Sequence, residues 1–142
     1  MRHVVFRIGS ERYGLPLATV REVVTPTMTS QVPRAPAAIR GIMNLRGRVV
    51  TVVDLAALLQ IPAGSAPDGG KVVILNRGRR DLGLLVTGVD GIHTLDDVAT
   101  APGESLPSVH GVARHANGAV TVLDDDGLEK QILSLVKQQS GR

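Results

Sequence analysis

The chain matches itself. Shifted by 70 places, Gly41 falls on Gly111, Ile42 on Val112, Val50-Thr51-Val52-Val53-Asp54 on Val120-Thr121-Val122-Leu123-Asp124, and Leu58 on Leu128, without a gap. A shift of 69 lays Gly14-Leu15-Pro16-Leu17 on Gly83-Leu84-Leu85-Val86, Val20 on Val89 and Val23 on Ile92. A shift of 68 brings Val4-Val5-Phe6 to Val72-Val73-Ile74. Collinear matches at a nearly constant offset mean two copies of one unit of about 70 residues, and any fold for this chain must accommodate that duplication.

The stretch from Arg40 to Leu59 shows what the unit contains. Val49-Val50-Thr51-Val52-Val53 is β-branched at every position, the pattern of a central strand buried on both faces. Gly41 to Leu45 reads as its hairpin partner, with Arg46-Gly47-Arg48 as the turn. Asp54 stands at an N-cap position before Leu55, Leu58 and Leu59, which predicts a short helix. In the second copy Val109 to Ala113 and Val120 to Leu123 repeat the hairpin, and Asn117-Gly118 falls on Gly47-Arg48.

Val4 to Ile8 and Tyr13 to Leu15 read as strands joined by the turn Gly9-Ser10-Glu11-Arg12. After Pro16, the spacing of Leu17, Val20, Val23 and Val24 predicts a short helical segment with Arg21 and Glu22 on its wet side, and Val89 to Leu95 repeats it. Pro26, Pro33 and Pro36 make Thr25 to Pro36 a loop with room only for an edge strand, and Ala101 to Pro107 is its counterpart. Ile61 to Gly70 is the linker between copies. Lys71 to Leu75 and Leu82 to Val86 are strands around the charged turn Asn76 to Asp81. Leu128, Ile132, Leu135 and Val136 form one face of an amphipathic helix over about 127–138, with a frayed tail after it. The expectation is a single all-β domain over residues 1–142 with short helices. It consists of two tandem small barrels, about 1–68 and about 69–126, that share apolar contacts, because half a chain of this size buries too little surface alone.

Composition narrows function by exclusion. Phe6 and Tyr13 are the only aromatic residues, which counts against functions that need stacking platforms, including most single-stranded nucleic-acid and carbohydrate binding. Cysteine is absent, so disulfides and thiolate chemistry are too. Sixteen basic against 13 acidic residues give a net charge of +3, which requires no nucleic-acid partner. No apolar run reaches the about 18 residues of a membrane span, and Arg7 interrupts any leader, so a cytoplasmic protein with no membrane insertion is expected.

Motifs that suggest chemistry fail on inspection. Gly64 and Gly69-Gly70-Lys71 resemble a phosphate loop, but Val72-Val73-Ile74 continues as a strand where a helix must open. Asp124-Asp125-Asp126-Gly127 resembles a calcium loop, yet the twelfth place is Leu135, and a helix start with anionic caps accounts for it. His3, His93, His110 and His115 lack ligand spacing on a common helix face. Ser10, Ser30, Ser65, Ser105 and Ser108 lie in turns or loops, Ser134 on the last helix and Ser140 in the tail, none in a nucleophile elbow. Arg77, Arg79 and Arg80 read as a hairpin tip that keeps an edge soluble. No catalytic residue, cofactor or metal ligand is expected.

What remains is an asymmetry. The apolar frame recurs in both copies, but Asn44-Leu45-Arg46 stands opposite Arg114-His115-Ala116, and Glu22 opposite Gly91. A frame needed for folding recurs, whereas residues serving one partner need not, which makes the neighbourhood of Glu22 and Arg46 the candidate for function. The alternative is that Arg46 decorates a hairpin and Glu22 a helix.

These residues also carry a resemblance to the CheW family of chemotaxis coupling proteins. The matching pieces are Tyr13 to Leu17, Val20-Arg21-Glu22-Val23, Val32 to Pro36, and Ile39 to Arg48 running into Val52-Val53-Asp54-Leu55. Val72 to Leu75 and Gly83 to Val86 add to it. Thr87, where the family often has aspartate, and the acidic Asp124-Asp125-Asp126 depart from the pattern. The resemblance implies two five-stranded SH3-like barrels and a non-enzymatic adaptor between the cytoplasmic tip of methyl-accepting chemoreceptors and the regulatory domain of a chemotaxis histidine kinase, at membrane-associated receptor arrays. It also implies that Glu22 and Arg46 are the polar pair of the receptor-facing surface, with Val20 and Asn44 beside them. Two rivals stay open: a basic SH3-like module that binds nucleic acid, and a CheW-like regulator of another chemosensory motility pathway.

Overall fold

The computed structural model describes residues 1–27, 29–61, 70–77, 80–100, 107–116 and 118–140, with backbone alone for 80 and 138–140. Most of the expected linker (62–69), the tip of the charged turn (Gly78 and Arg79), most of the second proline-bearing loop (101–106) and Asn117 lie outside the described residues. The elements are β1 (Arg2–Ile8), β2 (Glu11–Pro16), a 3₁₀ turn (Leu17–Thr19), β3 (Val20–Val24), β4 (Ile39–Leu45), β5 (Arg48–Asp54) and α1 (Leu55–Leu58). After them come β6 (Lys71–Arg77), β7 (Arg80–Val86), β8 (Gly88–Thr94), β9 (Ala99–Thr100), β10 (Val109–His115), β11 (Gly118–Leu123) and α2 (Asp125–Ser140).

The fold is mostly β, in two sheets of SH3-like barrel type with a C-terminal helix, but the sheets do not divide the chain at the linker. One runs β8-β1-β2-β11-β10-β9 and the other β3-β6-β7-β5-β4. Each copy therefore gives its first hairpin to the other copy's sheet, which replaces the expected split at about 68. Parallel pairing of β7 on β5 and of β2 on β11 makes the exchange. It gives each β-branched central strand a partner on both sides, which a half-length unit could not supply.

The duplication is visible residue by residue. Thr51 pairs with Leu82 and Val52 with Gly83; 70 and 69 places away, Thr121 pairs with Tyr13 and Val122 with Gly14. The register slips between Ile39 and Gly41 and again between Val109 and Gly111. At both slips glycine is obligatory, because a Cβ would lie 2.4 Å from the Ser30 carbonyl oxygen at Gly41 and 2.2 Å from that of Ala99 at Gly111. The first strands need one correction. Val20 pairs with Leu75, and its counterpart Val89 pairs with Phe6, so Phe6 corresponds to Leu75 and the offset there is 69, not 68.

The expected helical segments at 17–24 and 89–95 are strands, apart from the 3₁₀ turn Leu17–Thr19. Apolar spacing over so few residues fits either period, and β-branched Val20, Val23 and Val24 follow the open backbone edge of β6. Both strands carry a bulge, at Arg21 and at Asp90.

Among the described residues three apolar clusters fill the body. Phe6, Leu15, Leu55, Leu58, Leu75, Leu84, Leu123 and Leu128 belong to the one shared by both sheets and both helices. Met43, Val50, Val52, Val72, Ile74 and Leu85 fill the β3–β7 barrel, and Val5, Leu95, Ala113, Val120 and Val122 fill the other. Asp54 caps α1 as expected, accepting from the amides of Ala56 (3.1 Å) and Ala57 (3.4 Å).

Helix α2 is fastened to both copies. Gln131 Nε2 donates to the Leu58 carbonyl (2.7 Å) while its Oε1 accepts from the Ser108 hydroxyl (2.8 Å). Arg77 donates to Asp125 (2.7 Å), Asp126 (2.8 Å) and Glu129 (3.1 Å). Arg77 is thus a clamp on the helix, not a soluble tip: its side chain is 17% exposed, and its hydrogen bonds to Glu129 and then Asp126 hold the guanidinium even more firmly protonated than usual.

Candidate functional site

The β4–β5 hairpin closes through two residues, Arg46 (φ 52) and Gly47 (φ 84), while Arg48 already belongs to β5. Positive φ at both central positions is the type I′ turn that matches strand twist, and it costs a non-glycine residue such as Arg46. Asn44 offsets that cost by accepting the Gly47 amide at 2.8 Å. Its role in the structure is to hold the tip.

From this tip the Arg46 guanidinium donates to the Glu22 carboxylate on β3. In the strand order β3-β6-β7-β5-β4 those two groups come from opposite ends of the sheet, so the pair ties the seam of the barrel. The bulge explains how Glu22 gets there. Val20 pairs with Leu75, part of the shared core, whereas Glu22 pairs with Ile74, part of the barrel interior. Arg21, the extra residue between them, turns the strand over. Val20 is consequently half-buried against the shared core, and Glu22 emerges at the seam. The Arg46 side chain is 67% exposed and that of Glu22 30%, which leaves most of the guanidinium donors facing outward.

A second polar group lies at the same end. Asp81 Oδ1 accepts from Arg21 Nη1 (2.6 Å) and Arg48 Nη2 (2.8 Å), although its side chain is only 7% exposed. Three arginines therefore share two carboxylates. Sequence reasoning placed Asp81 only in a charged turn, because its partners are 60 and 33 residues away.

Beside Asp81 opens an apolar groove of about 430 Å³. Val32, Ile39, Ile42 and Val49 line one side, and Ile132, Leu133 and Val136 of α2 the other. Val49 is 61% exposed there. The sequence could not reveal this groove, since it exists only where α2 lies against a different copy's hairpin.

Other candidates resolve differently. Among the described residues Asp124, Asp125 and Asp126 form the one group of three close enough for a metal ion, and Arg77 occupies two of them, in keeping with anionic caps. Lys71 opens strand β6 rather than a helix. Burial raises the Tyr13 hydroxyl pKa, aided by the hydrogen bond to Glu11 (2.8 Å). Among the described residues no helix is long and apolar enough to cross a membrane.

The comparisons with known proteins agree with this geometry. The CheW-like domain family profile matches residues 2–132. The chain is 31% identical to a probable chemotaxis protein CheW of Rhizobium etli over 105 residues, 74% of this chain and 68% of that one. It is 29% identical to the chemotaxis protein CheW of Treponema pallidum, covering 85% of this chain and 77% of the relative. The crystal structure of scaffolding protein TtCheW from Thermoanaerobacter tengcongensis superimposes with a TM-score of 0.79 at 26% identity, over 87% of this chain and 88% of that one. The chain belongs to the CheW-like domain family, a family of chemotaxis scaffold proteins rather than of enzymes.

Proposed function

We propose that the chain couples chemoreceptor cytoplasmic tips to the regulatory domain of a chemotaxis histidine kinase within membrane-associated arrays, and that Glu22 and Arg46, with Asn44 and Val20 behind them, form the receptor-facing surface. The observation that carries this reading is the Arg46–Glu22 pair itself. It stands on a duplicated frame whose other copy has Ala116 and Gly91 in those places, so folding does not demand it. The pair holds the arginine at a fixed position with donors left over, which suits a partner carboxylate or carbonyl.

The neighbouring groove has the shape and apolar lining that receive one face of an amphipathic helix, the form a helical receptor tip would present. Contacts of this size are weak one at a time, and an array strengthens them through effective concentration. An adaptor therefore needs two distinct faces more than one tight one.

Co-sedimentation with receptor-containing membranes and with the cognate kinase tests the proposal. Arg46→Glu lowers receptor binding by about 1–3 kcal/mol if the partner desolvates the guanidinium, while the fold survives. Normal receptor co-sedimentation by a folded Arg46→Glu protein would remove the site.

A further inference from the structure

The other barrel closes its seam with two imidazoles. His93 on β8 and His115 at the end of β10 bring their ring centres to 4.5 Å, tilted by 50°. By the offsets fixed by strand pairing, they occupy the places of Val24 and Leu45, which pack on the interior of the β3–β7 barrel. The frame accepts aliphatic side chains there, so it does not require histidine.

Two further observations point to a ligand. Among the described residues His115 Nδ1 is buried with no hydrogen-bond partner, a position unfavourable for a polar atom. His93 Nε2 lies 3.3 Å from the Asp90 carbonyl oxygen. A donor hydrogen bond from Nε2 to that carbonyl leaves the lone pair on Nδ1, which is how ligating histidines are commonly held. Nearby, Asp90 accepts from Arg7 Nε (2.6 Å), and Arg12 Nη2 donates to the His115 carbonyl (2.6 Å). At Gly91 a Cβ would meet nothing nearer than His93 Nε2 at 4.0 Å, so the space beside that hydrogen bond is open.

We propose that His93 and His115 form a two-imidazole site for a borderline divalent ion of the zinc or nickel class, completed by water. Such ions favour imidazole nitrogen over oxygen donors. Two Zn–N bonds of about 2.1 Å at a tetrahedral angle set ring centres about 5 Å apart, against the 4.5 Å seen here. The ion would staple β8 to β10 across the seam, as Arg46 and Glu22 staple β4–β5 to β3.

Isothermal titration of the untagged full chain with zinc chloride, followed by nickel chloride, tests this. The natural chain binds one equivalent with shifts in the His93 and His115 ring proton resonances. His93→Val and His115→Leu, which install what the other barrel carries, each weaken binding at least tenfold and the double variant abolishes it, with circular dichroism showing the fold intact. No binding by the natural chain overturns the site. So does binding that survives in the folded double variant, which would place the ion at another group such as Asp124 to Asp126.

Discussion

In the β3–β7 barrel the seam is closed by Arg46 on Glu22, flanked by Arg21 and Arg48 on one Asp81 oxygen. In the other barrel the same backbone positions hold Ala116, Gly91, Asp90, Gly118 and Arg12, and His93 packs at a tilt against His115 instead. The strand pairings, the bulges and the glycines at the register slips are common to both. What duplication preserved is the backbone accounting of a barrel, since every strand must still find its hydrogen bonds. What diverged is the ring of side chains around each open end, which the fold tolerates in several chemistries. One end became strongly charged and the other imidazole-rich. That division gives a symmetric frame two chemically different faces.

The comparison is broken most severely at the shared glycines. Gly41→Ala and Gly111→Ala each drive a Cβ into a carbonyl oxygen, and urea unfolding should show losses on the order of 3 kcal/mol in either copy. Gly41, at φ 145, adds backbone strain, so its variant should be the worse. A mild effect at one of the two would mean the copies do not depend on the frame alike.

Next in size is the helix clamp, which has no counterpart in the first copy. Arg77→Ala leaves three carboxylates of α2 without their cation, and about 1–2 kcal/mol of stability should be lost in the same assay. Smaller still is Arg46→Ala, which gives one seam the residue the other already has. Denaturation should move by less than about 1 kcal/mol, because the pair is exposed. A large loss would mean that folding depends on the pair, and that it is not a surface reserved for a partner.

The frame was legible in the sequence because duplication leaves collinear matches, which carry the β4–β5 and β10–β11 hairpins, while the Asp54 cap and the final helix follow from local residues and spacing. The exchange of first hairpins was not legible, since the pairing of Thr51 with Leu82 or Thr121 with Tyr13 leaves no local mark on periodicity. Glu22 and Arg46 emerged from the asymmetry between copies as surface residues of separate elements, and only the family resemblance implied that they pair. Their contact depends on the bulge at Arg21, which a three- and four-residue apolar spacing disguised as a helix. Asp81, the groove and the histidine pair were hidden for the same reason, because each is assembled from segments distant along the chain.

The smallest expected effect concerns a third histidine. His3 occupies the place of Val72, is buried, and has its pKa lowered from 6.5, chiefly by burial. The Met1 carbonyl opposes that shift, and the chain's amino terminus and His110 add to it. A folded-state pKa below the unfolded one means that the unfolded chain takes up the proton more readily. Stability from this residue is then fully present above about pH 6.5 and is lost as pH falls through the unfolded and then the folded value. His3→Val, which copies the first barrel, should flatten the fall in thermal midpoint between neutral pH and about pH 5, the range in which an ordinary histidine titrates. An unchanged slope would show that the buried imidazole gains its proton as easily in the folded barrel as outside it, and that the two interiors differ in composition without differing in their response to acid.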